Sequence, residues 1–246
     1  MTAQRIFLAG ASGAIGRRLV PQLVQAGHTV LGTSRSPERA AQLRRLGVEP
    51  VIIDVYDRQG LIDAVRAARP DCVMHQLTDL PATLGAGLSE AMLENNARVR
   101  AEGGRNLVDA ALAAQARCFI AQSLAWVYAP AAEGRGPHRE ADPLDTEVRG
   151  TPRRTVEGVV ALERMTLHSP PLRGVVLRYG MLYGPGTWNA APSGNVPVHV
   201  DAAAHAALLA LQPGAQGIFN IAEERGLVSA ARARDELGWQ PDYRMP

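Results

Sequence analysis

The sequence predicts a doubly wound α/β fold, a mostly parallel sheet with helices on both faces. Two observations carry this. Ile6-Phe7-Leu8-Ala9 is a short apolar run of the kind that forms a strand buried on both sides. It passes directly into Gly10-Ala-Ser-Gly13-Ala-Ile-Gly16, and a helical pattern of Ile15, Leu19, Val20, Leu23 and Val24 begins at once. Strand, glycine turn and helix together form the context of a dinucleotide-binding turn in a Rossmann-like sheet. Gly10 permits the tight turn, Gly13 lets the backbone approach a pyrophosphate, and Gly16 lets the helix pack close to the strand. The unpaired N–H groups at the helix start then face the anion, assisted by the helix dipole. Gly10, Ser12, Gly13, Ala14, Ile15 and Gly16 are the expected cofactor contacts of this turn.

The remaining elements follow in order. Gly27 stops the first helix, and the second strand runs from His28 to Arg35. Its end is where an adenosine ribose lies in such folds. A carboxylate there would accept hydrogen bonds from a 2′-hydroxyl, whereas this chain offers Ser34 and Arg35. A guanidinium pairs with a 2′-phosphate, so NADP is favoured, with NAD possible. Ser36-Pro37 opens the second helix as N-cap and first residue, and Gly47 closes it. Residues 48–55 read as strand three, 57–68 as a helix, 71–75 as strand four, 89–114 as a long helix and 117–123 as strand five. A Pro-, Gly- and charge-rich loop spans 129–150, and a helix spans 151–167. Strand six is 174–180, and a later strand includes 217–221. A small substrate lobe is expected from about 181–200 and 223–246, within one domain of 246 residues.

Composition narrows the function classes. A net charge of +2 gives no reason to invoke nucleic acid. The absence of an apolar run of about 18 residues argues against a membrane span. The nearly immediate start of strand one leaves no room for a signal peptide, so a cytoplasmic location is expected. Cys72 and Cys118 read as small buried hydrophobes, and no metal-ligand spacing stands out. The chain contains no lysine: all 26 residues counted as Lys+Arg are arginine. Chemistry that needs an ammonium group is therefore excluded.

The G-x-x-G-x-x-G spacing, the pair Leu-Arg-Tyr-Gly180 and Tyr183-Gly-Pro-Gly186, the segments Val198–Asp201 and Gly217–Ile221, and the Glu-Leu-Gly-Trp-Gln-Pro tail together resemble the extended, epimerase/dehydratase-like branch of the short-chain dehydrogenase/reductase superfamily. The resemblance spans essentially the whole chain. It implies that Asp54-Val55 meets the adenine, and that Gln76, Leu77 and Thr78 pass the cofactor's ribose and nicotinamide. It implies further that Asn96 points into the site, with Gln122 and Tyr179 nearby, and that a hydroxyl such as that of Ser123 bonds the reacting carbonyl. Dimerisation through helices 89–114 and 151–167 is a further family expectation.

Three departures stand against that pattern. The family's Tyr-x-x-x-Lys pair registers on Thr155 and Val159, neither of which can move a proton. Leu124 occupies the usual position of the hydroxyl, with Ser123 one residue early and expected to face the other way unless a turn intervenes. The segment after Gly186 is short, which argues against nucleotide-sugar epimerisation. Tyr128, Tyr179 and Tyr183 follow strands at the carboxyl edge of the sheet, and Tyr128 and Tyr183 are the alternative proton donors. The expected activity is an NADP-dependent reduction of a small carbonyl, imine or activated alkene. A catalytically silent cofactor sensor, and an isomerase or lyase that recycles its cofactor, are the alternatives.

Overall fold

The structure is a computed structural model that describes residues 2–81, 83, 87–131 and 134–245. Short, mostly continuous apolar runs build its strands: β1 (Arg5–Ala9), β2 (Thr29–Ser34), β3 (Glu49–Ile52), β4 (Cys72–His75), β5 (Cys118–Leu124), β6 (Arg173–Tyr179) and, late in the chain, β9 (Gly217–Ile221). They form a seven-stranded sheet in the order β3-β2-β1-β4-β5-β6-β9, with every pairing parallel. Two short strands, β7 (Met181–Tyr183) and β8 (Pro197–His199), pair separately beyond β6.

Amphipathic helices cover both faces. Helices α1 (Ala14–Gln25), α2 (Pro37–Arg45), α7 (Val200–Leu209) and α8 (Ala231–Leu237) enclose one apolar layer with Ile6, Leu8 and Met74. Helices α3 (Arg58–Ala68), α5 (Gly104–Ala113) and α6 (Arg153–Leu167) enclose the other with Phe7, Val73 and Phe119. Residues on successive strand positions therefore part to opposite sides, and this decides which side chains can reach a common site. Caps follow the expected chemistry: the Ser36 hydroxyl accepts the Arg39 N–H and the Asp57 carboxylate accepts the Gly60 N–H.

Three features differ from expectation. The long helix is α4 (Glu90–Arg98), a π turn at Val99–Gly103 and then α5, so its periodicity shifts midway. At Val198–Asp201, where the sequence suggests a strand end carrying both His199 and Asp201, the chain instead passes from strand to helix at His199, which caps α7 with its Nδ1 accepting the Asp201 N–H. The C-terminal tail is built into the main core: Trp239 is sealed, its indole N–H donates to the Ala202 carbonyl, and Tyr243 stacks on His205. No helix among the described residues is long and apolar enough to cross a membrane.

Candidate cofactor and active site

The turn after β1 is built around backbone proximity. Gly10 adopts φ +97°, and a Cβ there would lie 2.4 Å from the Gln76 carbonyl oxygen on the neighbouring chain segment. A Cβ at Gly16 would lie 2.2 Å from the Gly10 carbonyl oxygen, so this glycine fits the helix onto the turn itself. Gly13 is exposed and caps α1 without a side-chain hydrogen bond, which leaves the first amides of the helix open to an anion. Ser12 and Ala14 are half-buried and Ile15 is buried beneath them.

Beside this turn the buried Gln76 amide and Tyr179 hydroxyl lie next to one another, and none of these polar atoms makes a well-formed hydrogen bond among the described residues. Buried polar groups are normally satisfied, so an unpaired set at the carboxyl edge of β4 and β6 suits a polar ligand. Burial pushes the Tyr179 phenol well above its usual range, so it stays a neutral hydroxyl. The open amides, the Cβ-free cradle and these orphaned groups fit a dinucleotide.

The other expected contacts divide into those free to meet a ligand and those committed to the fold. Arg35 is exposed at the end of β2 and reaches Asp79 at 3.6 Å. Ser34 is spent on its own turn, donating to the Ser36 carbonyl and accepting the Ser36 N–H. Asp54 is exposed and accepts the Tyr56 N–H, while the Val55 carbonyl accepts from Asn106 at 2.9 Å. Thr78 is exposed; Leu77 is half-buried and its carbonyl accepts from Gln122 at 2.6 Å. Asn96 does not extend into the cleft: it donates to Met92 and grips both backbone groups of Asp79, positioning the segment after β4. His75 is sealed, with Nδ1 accepting the Leu77 N–H and Nε2 facing the Val99 carbonyl at 3.3 Å; burial lowers its pKa to about 4.

Two expected catalytic hydroxyls are corrected. Ser123 points from β5 to α6, where its hydroxyl donates to Glu163 at 2.6 Å. Tyr128 curls into the same buried network: its hydroxyl accepts from Arg178 at 2.7 Å and donates to Asn220 at 2.7 Å, with His138 stacked on its ring. Arg178 completes the network through a bidentate contact with Glu163 at 2.6 and 2.8 Å. Burial alone would lower the Arg178 pKa, but the Glu163 contact overrides it and the pKa rises. Strand alternation explains Ser123, and a charge network invisible in a local motif explains Tyr128. Thr155 and Val159 on α6 are both buried.

Tyr183 does line an open cleft, of about 680 Å³, with Trp188, His199 and Arg244. Its hydroxyl donates to Glu223 at 2.5 Å and accepts from Arg244 at 3.0 Å. Burial and then Glu223 raise its pKa, so it holds its proton. The loop lining the cleft is tied to the first turn of α1, where Arg17 donates to the Gly186 carbonyl at 3.3 Å. On its other side the Trp188 indole donates to the Pro81 carbonyl at 3.0 Å, joining this loop to the segment after β4.

A sequence model described as the NAD dependent epimerase/dehydratase family matches residues 6–216. A Streptomyces protein named 3-diazoavenalumate denitrifying reductase is 37% identical over 259 residues, covering 97% of this chain and 80% of that protein. The fold is similar to that of Thermus thermophilus UDP-glucose 4-epimerase solved with NAD, at a TM-score of 0.76 and 20% identity over 98% of this chain and 95% of that one. It is also similar to the Bordetella bronchiseptica enzyme WbmG solved with NAD, at a TM-score of 0.76 and 16% identity over 99% and 91%. With its glycine turn, parallel sheet and near full-length match, the chain belongs to the NAD dependent epimerase/dehydratase family and is a nicotinamide-dependent oxidoreductase.

Proposed function

We propose that the protein is an NADP-dependent reductase of a small substrate whose reduction needs no proton from the protein, with an aryl diazo compound as the substrate class. The carrying observation is that the family's proton-transfer positions hold no usable donor: Thr155 and Val159 are buried where the family pair would stand, Ser123 and Tyr128 are committed to Glu163 and Arg178, and Tyr183 in the cleft has its proton engaged by Glu223. A bound reduced nicotinamide would supply a hydride, and a hydride taking the place of N₂ on the aryl carbon of a diazonium cation would give the arene and N₂ with no oxyanion to protonate. General acid catalysis, the role of the family's tyrosine, is then unnecessary. The name of the Streptomyces relative supports this substrate class.

The chain's own residues bind and orient. The amides at the start of α1 hold the pyrophosphate, and Arg35 pairs with the 2′-phosphate. Trp188 and Tyr183 offer aromatic surface to a ring, and exposed Arg244 beside them suits a carboxylate.

The test offers purified protein NADPH with a panel of aryl diazonium salts, aldehydes and ketones. The expected result is N₂ release and the corresponding arene, with deuterium carried from C4-labelled cofactor to the arene. Turnover of aldehydes in preference to every diazonium salt would overturn the substrate class. Binding of cofactor without turnover of any substrate would favour a sensor.

A further inference from the structure

Two arginines are buried among the described residues, and they are opposites. Arg178, 3% exposed, is fully paired with Glu163 and Tyr128. Arg100, 6% exposed, makes no hydrogen bond or ion pair among the described residues, and its Nε is sealed without an acceptor. A buried guanidinium without a counter-charge is costly, and proteins ordinarily pair such groups. Burial pulls its pKa down to about 10, which leaves it charged at neutral pH.

The surroundings of Arg100 locate it. It sits in the π turn between α4 and α5, a distortion often found at functional sites. One turn before it, Asn96 grips Asp79 beyond the end of β4. The preceding residue, Val99, meets the ring of His75, the last residue of β4. One turn after it, a Cβ on Gly104 would touch Leu162 of α6 and the His75 ring. Ala97 lies against Gly158, so Arg100 runs level with the α6 stretch that carries Val159. Arg100 thus stands at the carboxyl end of β4, flanked by α6. In this sheet Arg35 marks the adenosine end over β2, and the glycine turn marks the phosphates over β1. The cofactor's other half extends over β4 and β5.

We infer that Arg100 is a fixed positive charge facing the nicotinamide half of the cofactor, and that it selects the reduced, uncharged ring over the oxidised, cationic one. A reductase gains from this because the spent cofactor is repelled. The inference rests on the family's nicotinamide cofactor and not on the identity of the substrate.

The test is calorimetric titration of wild type, Arg100→Met, Arg100→Gln and Arg100→Lys with NADPH and NADP⁺, repeated with NADH and NAD⁺ so that the 2′-phosphate plays no part. Wild type should prefer the reduced form. The preference should shrink by about tenfold in the Met and Gln variants, the scale of one charge–charge contact at a partly screened site, and persist in the Lys variant. Melting of the cofactor-free proteins separates this from a packing role: removing an unpaired buried charge should leave Arg100→Met at least as stable as wild type. An unchanged preference in the neutral variants, or no nicotinamide binding by wild type, would overturn the inference.

Discussion

Arg35 has its backbone fixed by the end of β2 and its side chain free in solvent but for Asp79, which makes it a direct test of cofactor choice. Arg35→Ala should weaken NADPH binding by about 1–3 kcal/mol, the scale of a charge-assisted contact, and leave NADH almost untouched. Equal loss for both in a titration would refute the 2′-phosphate assignment. The exposed place of Arg35 just past β2 was readable because one position after one strand is set by the strand pattern alone. Arg100 was not: its burial depends on a π turn and on α6 packing alongside, and neither leaves a local mark. Its sequence signal is a charged residue on the 96/100/104/107 face, otherwise uncharged and packed inward. Ser34 misled for the converse reason, since a hydroxyl beside a turn is as readily consumed by that turn as offered to a ribose.

At the scale of elements, β5, β6 and α6 are joined by Ser123, Arg178 and Glu163, a bond of structure where the family keeps chemistry. Ser123→Ala should cost about 1 kcal/mol of stability, one hydrogen bond, and leave kcat nearly unchanged. Glu163→Gln strips the buried Arg178 of its counter-charge and should cost about 3–5 kcal/mol. Denaturation and turnover measured on both variants check the pair, and a fall in kcat of about a hundredfold or more in Ser123→Ala would return that serine to catalysis. The elements themselves were largely legible, because β1, β4, β5 and β6 are apolar runs bounded by breakers and α1, α3 and α6 have clear apolar stripes. Helix α7 was not. Its Val-Asp-Ala-Ala-Ala-His-Ala-Ala-Leu-Leu run is buried almost all round, and a helix without a polar face shows no 3.6-residue period.

For the molecule as a whole, His75 at the centre of the sheet couples stability to pH. Its pKa falls from 6.5 to about 4 on burial, so the unfolded chain takes up the proton first. The neutral ring's contribution is complete above pH 6.5 and is lost as pH falls toward about 4, a loss of roughly 3 kcal/mol. Melting temperatures across this range should fall more steeply for wild type than for His75→Leu, and parallel curves would count against the assignment. The fold class was plain from the first sixteen residues, but the tie that completes the nucleotide site was not. Arg18 on α1 pairs with Asp201 at the start of α7, across 183 residues of sequence, and Asp201 also accepts the Met245 N–H. Synthesis on the ribosome makes the glycine turn first and its clamp last. The helix that presents the phosphate site therefore emerges with its apolar face bare and waits for α7 and the tail to cover it. Until α7 and the tail emerge, the nascent chain carries exposed apolar surface beside a nucleotide motif that is already written.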